Sequence, residues 1–342
     1  MSSQRSLITR LAKEHGLTVV GPETLTLRRQ RCGKGFAFVS ETGAFVRDAG
    51  TVARLKALAV PPAYVNVRFS ANPAAHLQAV GEDAAGRLQY RYHAKWADVR
   101  EALKARRLAG LAKALPSIRR AVGRSLASAE IDARFVAACV IELVGLSAIR
   151  AGSEEYMRER GTRGATTLLK SNMRLSGKCS ISLTFKAKGG KTVTKDVSNP
   201  RLCTALARLL ELPGRRLFQY RSSDGEVRVV RAADVNAFLQ EIAGRRISLK
   251  DFRTLVASAG ALRALATVEP AASATRRRRQ VRETVIEIAE ELANTPTVCR
   301  TSYVHEAVIN AFESGALKRV RRRSRSPVAE AELLARIVSK HA

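Results

Sequence analysis

The apolar residues change their spacing near Trp96, and that change restricts the chain to a β-rich part followed by a mainly helical one. Before it, Gly and Pro punctuate short runs with strand character: LTLRR, GFAFVS, YVNVRFS, HLQAVGED and RLQYRYH. Alternation in VNVRF and LQYRY favours a small, largely antiparallel sheet. From Ala97 the period is helical, and Ile131 to Arg150 carries Phe135, Cys139, Val140, Leu143 and Leu146 at helical steps, which predicts a core helix. One β excursion interrupts this half. Cys179, Ile181, Leu183 and Phe185 alternate with polar residues, KAKGGK turns the chain at Gly189 and Gly190, and a strand with Val193 returns. A second hairpin turn is expected at Asp224 and Gly225. Ser248 and Asp251 resemble a capping pair ahead of a helix that carries Arg253. The stretch EPAASATRRRR reads as a basic surface loop, followed by a helix with Val281, Val285, Ile288 and Leu292 on one face. The expected fold is α+β and bilobed, with a β-rich domain over residues 1–96 and a mainly α domain over 97–342 that contains a β-hairpin near 179–197.

Sixty Lys and Arg against thirty Asp and Glu give a formal net charge of +30 and a pI of about 11.1, which points to a polyanionic partner. Hydrophobic residues make up 46% of the chain, enough for a full core, so this charge belongs to a folded protein and not to a disordered tail. No run of about eighteen apolar residues occurs, and MSSQRSLITRLAKEHG lacks the apolar stretch of a secretory signal. A soluble, cytoplasmic, nucleoid-associated protein with no membrane partner is expected. The five cysteines, Cys32, Cys139, Cys179, Cys203 and Cys299, are scattered without a CxxC pair and read as reduced thiols. Neither they nor the five histidines show metal-ligand spacing, so no structural zinc and no cofactor is expected.

The segment NTPTVCRTSYVHEAVINA, Asn294 to Ala311, sets Tyr303 just beyond a proline-marked helix start in an arginine-rich chain. A tyrosine can attack a phosphodiester, but only about one phenol in a thousand is ionised at neutral pH given a reference pKa near 10, so cations must stand close by. Arg150 in AIRAGSEEY, Lys188 at the hairpin tip, Arg253 in KDFRT and Asn294 are residues of the needed types. Each also has a plainer reading: Arg150 as a helix C-terminal arginine, Lys188 as a solvated turn lysine, Asn294 as a helix cap, Tyr303 as a residue of an amphipathic helix. His305, following Tyr303 in a helix, reads as packing or surface, and the arginine runs 276–279 and 321–323 as exposed charge.

Taken in order, these motifs resemble the type IB DNA topoisomerases of the small poxviral and bacterial kind. The likeness covers PPAYVNV, HLQAVGEDAAGRLQYRYH, AIRAGSEEY, FKAKGGK, LFQY with DVNAFL, KDFRT and NTPTVCRTSY. It implies a C-shaped clamp, expected to be a monomer, around double-stranded DNA, with no ATP and no metal. Tyr303 would be the nucleophile that forms a 3′-phosphotyrosyl bond, Arg150 and Arg253 would stabilise the transition state, and Lys188 would be the general acid. The resemblance also implies DNA contacts from Gln89, Tyr90, Tyr92 and Tyr156, although alternating aromatics on a strand are equally a mark of partly buried core. Asn294 stands where the poxviral pattern has histidine; an amide can donate a hydrogen bond to a phosphoryl oxygen but cannot move a proton. GGKT at Gly189 to Thr192 lacks the leading glycine of a nucleotide-binding P-loop. Tyrosine recombinases share the implied chemistry but typically carry HxxR where this chain has KDFR, Lys250 to Arg253. A nonenzymatic nucleoid protein would account for the charge and not for the ordered site residues.

Overall fold

The computed structural model describes residues 2–177, 179–319 and 327–339, and its chain divides into two compact units, Met1–Leu103 and Lys104–Ala342. In the first unit, helix α1 (Ser2–Glu14) precedes strands β1 (Leu27–Cys32) and β2 (Gly35–Val39), helix α2 (Ala49–Ala57), and strands β3 (Val65–Phe69), β4 (Leu77–Glu82) and β5 (Leu88–Tyr92). The five strands form one antiparallel sheet in the order β2-β1-β3-β4-β5. Leu27, Phe38, Val67, Phe69 and Ala79 bury one face beneath Leu55 of α2, with Phe38 and Phe69 edge to face at 5.3 Å. Strand β5 lies at the sheet edge and departs from the core reading of its aromatics. Tyr90 and Tyr92, 41% and 40% exposed, stack on each other at 6.2 Å on its open face. Gln89, just before them, donates to the Asp83 carboxylate at 2.9 Å.

Helix α3 (Trp96–Leu126) leads into the second unit, where α4 (Ala133–Ser147) is the central helix. Asp132 caps its start by accepting from Phe135 N at 2.7 Å. Phe135 to Ile141, Leu143 and Val144 are all buried, so α4 is enclosed on nearly every side and shows no clean apolar stripe. Leu146 is the exception to the core face predicted for it, being 43% exposed on the open side of the last turn while Val144 and Ser147 beside it are buried. Helix α5 (Glu154–Arg160) is followed by β6 (Met173–Ser176), β7 (Ser180–Lys186) and β8 (Thr192–Ser198), an antiparallel sheet in that order. The expected hairpin is β7–β8; β6 is an addition, and Cys179 lies outside the strand with a left-handed φ of 66°.

Then come α6 (Pro200–Glu211), the short hairpin β9 (Gln219–Arg221) and β10 (Val227–Val229), and α7 (Ala232–Ala243). Helices α8 (Leu249–Thr267), α9 (Ala274–Glu291), α10 (Pro296–Ser302), α11 (Glu306–Glu313) and α12 (Pro327–Ser339) complete the unit. Helix α9 corrects the loop expected at Arg276 to Arg279. Ser273 accepts from Arg276 N at 3.2 Å and starts the helix there, and arginine is a good helix former once a cap is present. Val281, Val285, Ile288 and Leu292 do share its buried face. The run at 321–323 lies outside the described residues. No helix among the described residues is long and apolar enough to cross a membrane.

Candidate active site

Two helix ends and one buried arginine build the site. Helix α4 ends at Ala148 in a left-handed conformation, φ 53° and ψ 23°. Helix α9 ends in a Schellman arrangement, in which Ala293 N bonds the Glu290 carbonyl at 3.0 Å and Asn294 N bonds the Ala289 carbonyl at 2.8 Å. Ala293 takes the left-handed position usual for glycine, at φ 48°, a strained choice for a residue with a Cβ. Both ends leave main-chain carbonyls at the negative pole of a helix dipole.

Arg253 connects them. Its helix, α8, is started by Ser248, whose N and Oγ both donate to Asp251 Oδ2 at 2.8 and 2.9 Å, as the capping pair predicts. One turn in, the Arg253 side chain is 2% exposed; its guanidinium donates to the Ala148 carbonyl of α4 and, at 3.0 Å, to the Leu292 carbonyl of α9. Its Nε is buried without a partner. Arg150 follows α4 directly and donates to the next carbonyl, that of Ala293, at 3.3 and 3.4 Å, and to Asn294 Oδ1. That orientation leaves the Asn294 amide nitrogen buried without a partner. The backbone of Arg150 is itself held tightly: Ala165 N donates to its carbonyl at 2.7 Å, and a Cβ on Gly164 would come within 2.5 Å of the same oxygen. Glycine at 164 is what permits this close approach.

Tyr303 ends α10, which starts at the Thr295 cap and Pro296. Its carbonyl accepts from Ser258 Oγ of α8 at 2.8 Å, and Ser258 Oγ in turn accepts from His305 N at 3.1 Å. His305 does not continue the helix of Tyr303: it is buried, and its Nδ1 accepts from Ala307 N at 3.1 Å to start α11. The helix breaks here because α8 satisfies the freed backbone groups, and the break sets the phenol against Arg253. Tyr303 is 8% exposed, with its ring centroid 5.0 Å from the Arg253 guanidinium carbon. Burial raises its pKa, but the charge and hydrogen bonding of Arg253, followed by Arg150 and Lys250, outweigh burial and hold the phenol below its ordinary value of 10.0.

Beside this pair lies a narrow cleft lined by Arg150, Arg163, Lys195 and Arg253 among apolar neighbours, with no carboxylate in its wall. The space holds about 10 Å³, no more than one water, and Glu154 and Glu291 act on Arg163 and Lys195 from outside the wall, so the cleft is net positive but is not itself a phosphate site. The structure thus brings together Tyr303, Arg253, Arg150 and Asn294. Lys188 is placed apart from them, exposed at the β7–β8 turn with its ammonium 5.7 Å from the ring centroid of Tyr156. Tyr156 is held on α5, which Ser153 caps and whose Glu154 takes two bonds from Arg216 at 3.1 and 2.6 Å. Gln89, Tyr90 and Tyr92 belong to the other unit.

Lys195 is the site residue that sequence reasoning missed. It occupies an inward position of β8, between Val193 and Val197, and donates to the Glu291 carbonyl. A charge at an apolar step of a strand was the available signal.

Residues 93–326 match the family model of the eukaryotic DNA topoisomerase I catalytic core, and residues 35–83 match that of the bacterial DNA topoisomerase IB N-terminal domain. A protein of Acanthamoeba polyphaga mimivirus described as DNA topoisomerase 1B is 29% identical over 271 residues, 77% of this chain and 80% of the viral protein. Among solved structures, XerH site-specific recombinase in its post-cleavage complex gives a TM-score of 0.36 at 16% identity, covering 59% of this chain and 51% of that one. Its pre-cleavage complex gives 0.34 at 17%, covering 58% and 52%. This chain therefore spans about half the length of the recombinase.

The cations around Tyr303 are open to a direct test. Phenolate absorbance of the wild type minus that of Tyr303→Phe should titrate below 10.0, and Arg150→Ala should move that titration upward by removing a favourable charge. A Tyr303 phenol that ionises at or above 10.0 in the wild type would contradict the balance described.

Proposed function

This chain belongs to the type IB DNA topoisomerase family, and from that premise we propose that it relaxes supercoils of either sign by cutting and rejoining one strand of double-stranded DNA through Tyr303. The observation that carries the proposal is the Tyr303 phenol, its ring centroid 5.0 Å from the buried Arg253 guanidinium that holds its pKa down, with Arg150 bonded to Asn294 beside them.

In the proposed reaction the Tyr303 oxygen loses its proton and bonds to the scissile phosphorus, while the bond from phosphorus to the 5′-oxygen breaks. A 3′-phosphotyrosyl link and a 5′-hydroxyl result, the duplex rotates, and the reverse attack restores the strand. Each step exchanges one phosphodiester for another, so no ATP is consumed. Charge grows on the non-bridging oxygens at the transition state, where Arg150 and Arg253 would meet it without help from a metal. The partnerless Asn294 amide nitrogen would donate to one of those oxygens, satisfying a buried donor that the DNA-free protein leaves open. Lys188, on its exposed turn, would leave the Tyr156 ring and protonate the departing 5′-oxygen. Tyr90, Tyr92, Gln89 and Tyr156 would contact the duplex; the three tyrosines are exposed and present their rings to solvent.

A supercoiled plasmid in EDTA without ATP tests the reading. The wild type should relax both positive and negative supercoils, Tyr303→Phe should bind DNA and relax neither, and an ATP or metal requirement would overturn it. In single-turnover cleavage, Asn294→Ala should lose about 10²- to 10³-fold in rate, the usual cost of one transition-state donor. Lys188→Ala should recover when sulfur replaces the leaving 5′-oxygen, because a thiolate departs without an acid; an unrescued variant would remove that role.

A further inference from the structure

Three successive carbonyls at the end of α9 are each held by a different cation. Lys195 takes Glu291, Arg253 takes Leu292, and Arg150 takes Ala293. The last two are the arginines to which the proposed function gives the phosphate. Arg253 and Arg150 are therefore oriented by the very turn of chain whose first carbonyl Lys195 grips. We propose that Lys195 is a positioning residue for strand cleavage: it fixes the α9 terminus, and through it the directions in which Arg253 and Arg150 present their remaining N–H groups. This rests on the topoisomerase reading of the site.

The placement of Lys195 in the strand points the same way. β8 alternates exposed and inward residues, and Val193 and Val197 fill the inward steps on either side of Lys195. A third aliphatic residue would meet the demands of the sheet, whose β7 partner at this register is the fully buried Leu183. An ammonium here is half removed from water, and burial pulls its pKa down; the Glu291 carboxylate offsets part of this, while the like charge of Arg253 adds to it. Such a cost needs a compensating contact, and the contact present is the carbonyl of Glu291 at the negative end of α9.

The turn also needs holding. Ala293 sits in the left-handed region at φ 48°, where an alanine is strained and the chain tends to leave the conformation unless its neighbours fix it. If Glu291 were released, the strain at Ala293 could relax by rotating the Leu292 and Ala293 carbonyls away from Arg253 and Arg150. A misplacement of about 1 Å at a reacting centre costs on the order of 10²-fold in rate. Lys195 touches neither the phosphate nor Tyr303 in this account, so its effect should fall on the chemical step and leave DNA binding alone.

The test compares the full-length wild type, Lys195→Met and Lys195→Arg on supercoiled plasmid, reading three quantities: trapped covalent adduct formed per second at saturating DNA, affinity for a plain duplex, and thermal unfolding. Lys195→Met should lose about 10- to 100-fold in adduct formation with duplex affinity changed less than about threefold, and Lys195→Arg, which can still donate to the carbonyl, should recover most of the rate. Adduct formation by Lys195→Met at the wild-type rate would overturn the inference. So would a loss seen equally in duplex affinity, which would make Lys195 a phosphate contact, or a loss shared by Lys195→Arg together with lowered thermal stability, which would make it structural. Absence of adduct from the wild type would instead refute the topoisomerase reading itself.

Discussion

The guanidinium of Arg253, held between the carbonyl ends of α4 and α9, is the contact on which the rest of the site depends. A fully buried cation is costly unless its donors are used and a negative field surrounds it. Two helix C-termini supply that field, and each gains a partner for a carbonyl it could not satisfy internally. The arrangement is also incomplete: Nε of Arg253 and Nδ2 of Asn294 are buried donors with nothing to bond, and the cleft beside them is net positive. In the proposed reaction these open donors are the groups left to meet a phosphate. Removing Arg253 would leave two buried carbonyls unpaired as well as depriving Tyr303 of its nearest charge.

Rigid and mobile parts are separated along the chain. Tyr303 is fixed by a helix break that Ser258 ties to α8, and Arg150 by a loop packed so closely that Gly164 has no room for a side chain. In the proposed reaction these residues are set before DNA arrives, since stabilising a transition state depends on groups that need not reorganise. Lys188 is different in kind. It sits on an exposed two-glycine turn, where its ammonium rests over the Tyr156 ring, and the proposed role as acid asks it to leave that ring for a departing strand.

Much of this was legible from residue order because the underlying rules are local. Short runs of strand character between Gly and Pro located all five strands of the first unit, alternation located the β7–β8 hairpin, and the Ser248 and Asp251 pair located the start of α8. The family resemblance named Tyr303, Arg253, Arg150 and Asn294, and the structure draws those four together. What escaped was set by tertiary surroundings. Strand β6 is four residues long and exists because β7 offers an edge. Leu146 kept the helical step of a core residue but faces the open side of the last turn of α4, while Ser147 and Ala148 after it are buried. The arginines 276–279 looked like a loop by charge, whereas Ser273 made them a helix. His305 could not be seen to end one helix and begin the next, because the break depends on Ser258, 47 residues earlier. Lys195 was visible as a charge at an apolar step, but its purpose is a carbonyl 96 residues away.

The central claim is that the phenol of Tyr303, activated by Arg253, becomes joined to a DNA 3′ end. Denaturing the protein during turnover with plasmid, digesting both components and sequencing the nucleotide-bearing peptide by mass spectrometry tests it most directly. The account predicts a peptide carrying a nucleotide through its 3′-phosphate on Tyr303, with free 5′-hydroxyls on the nicked DNA. A link at any other residue, or one made through a 5′-phosphate, would contradict it.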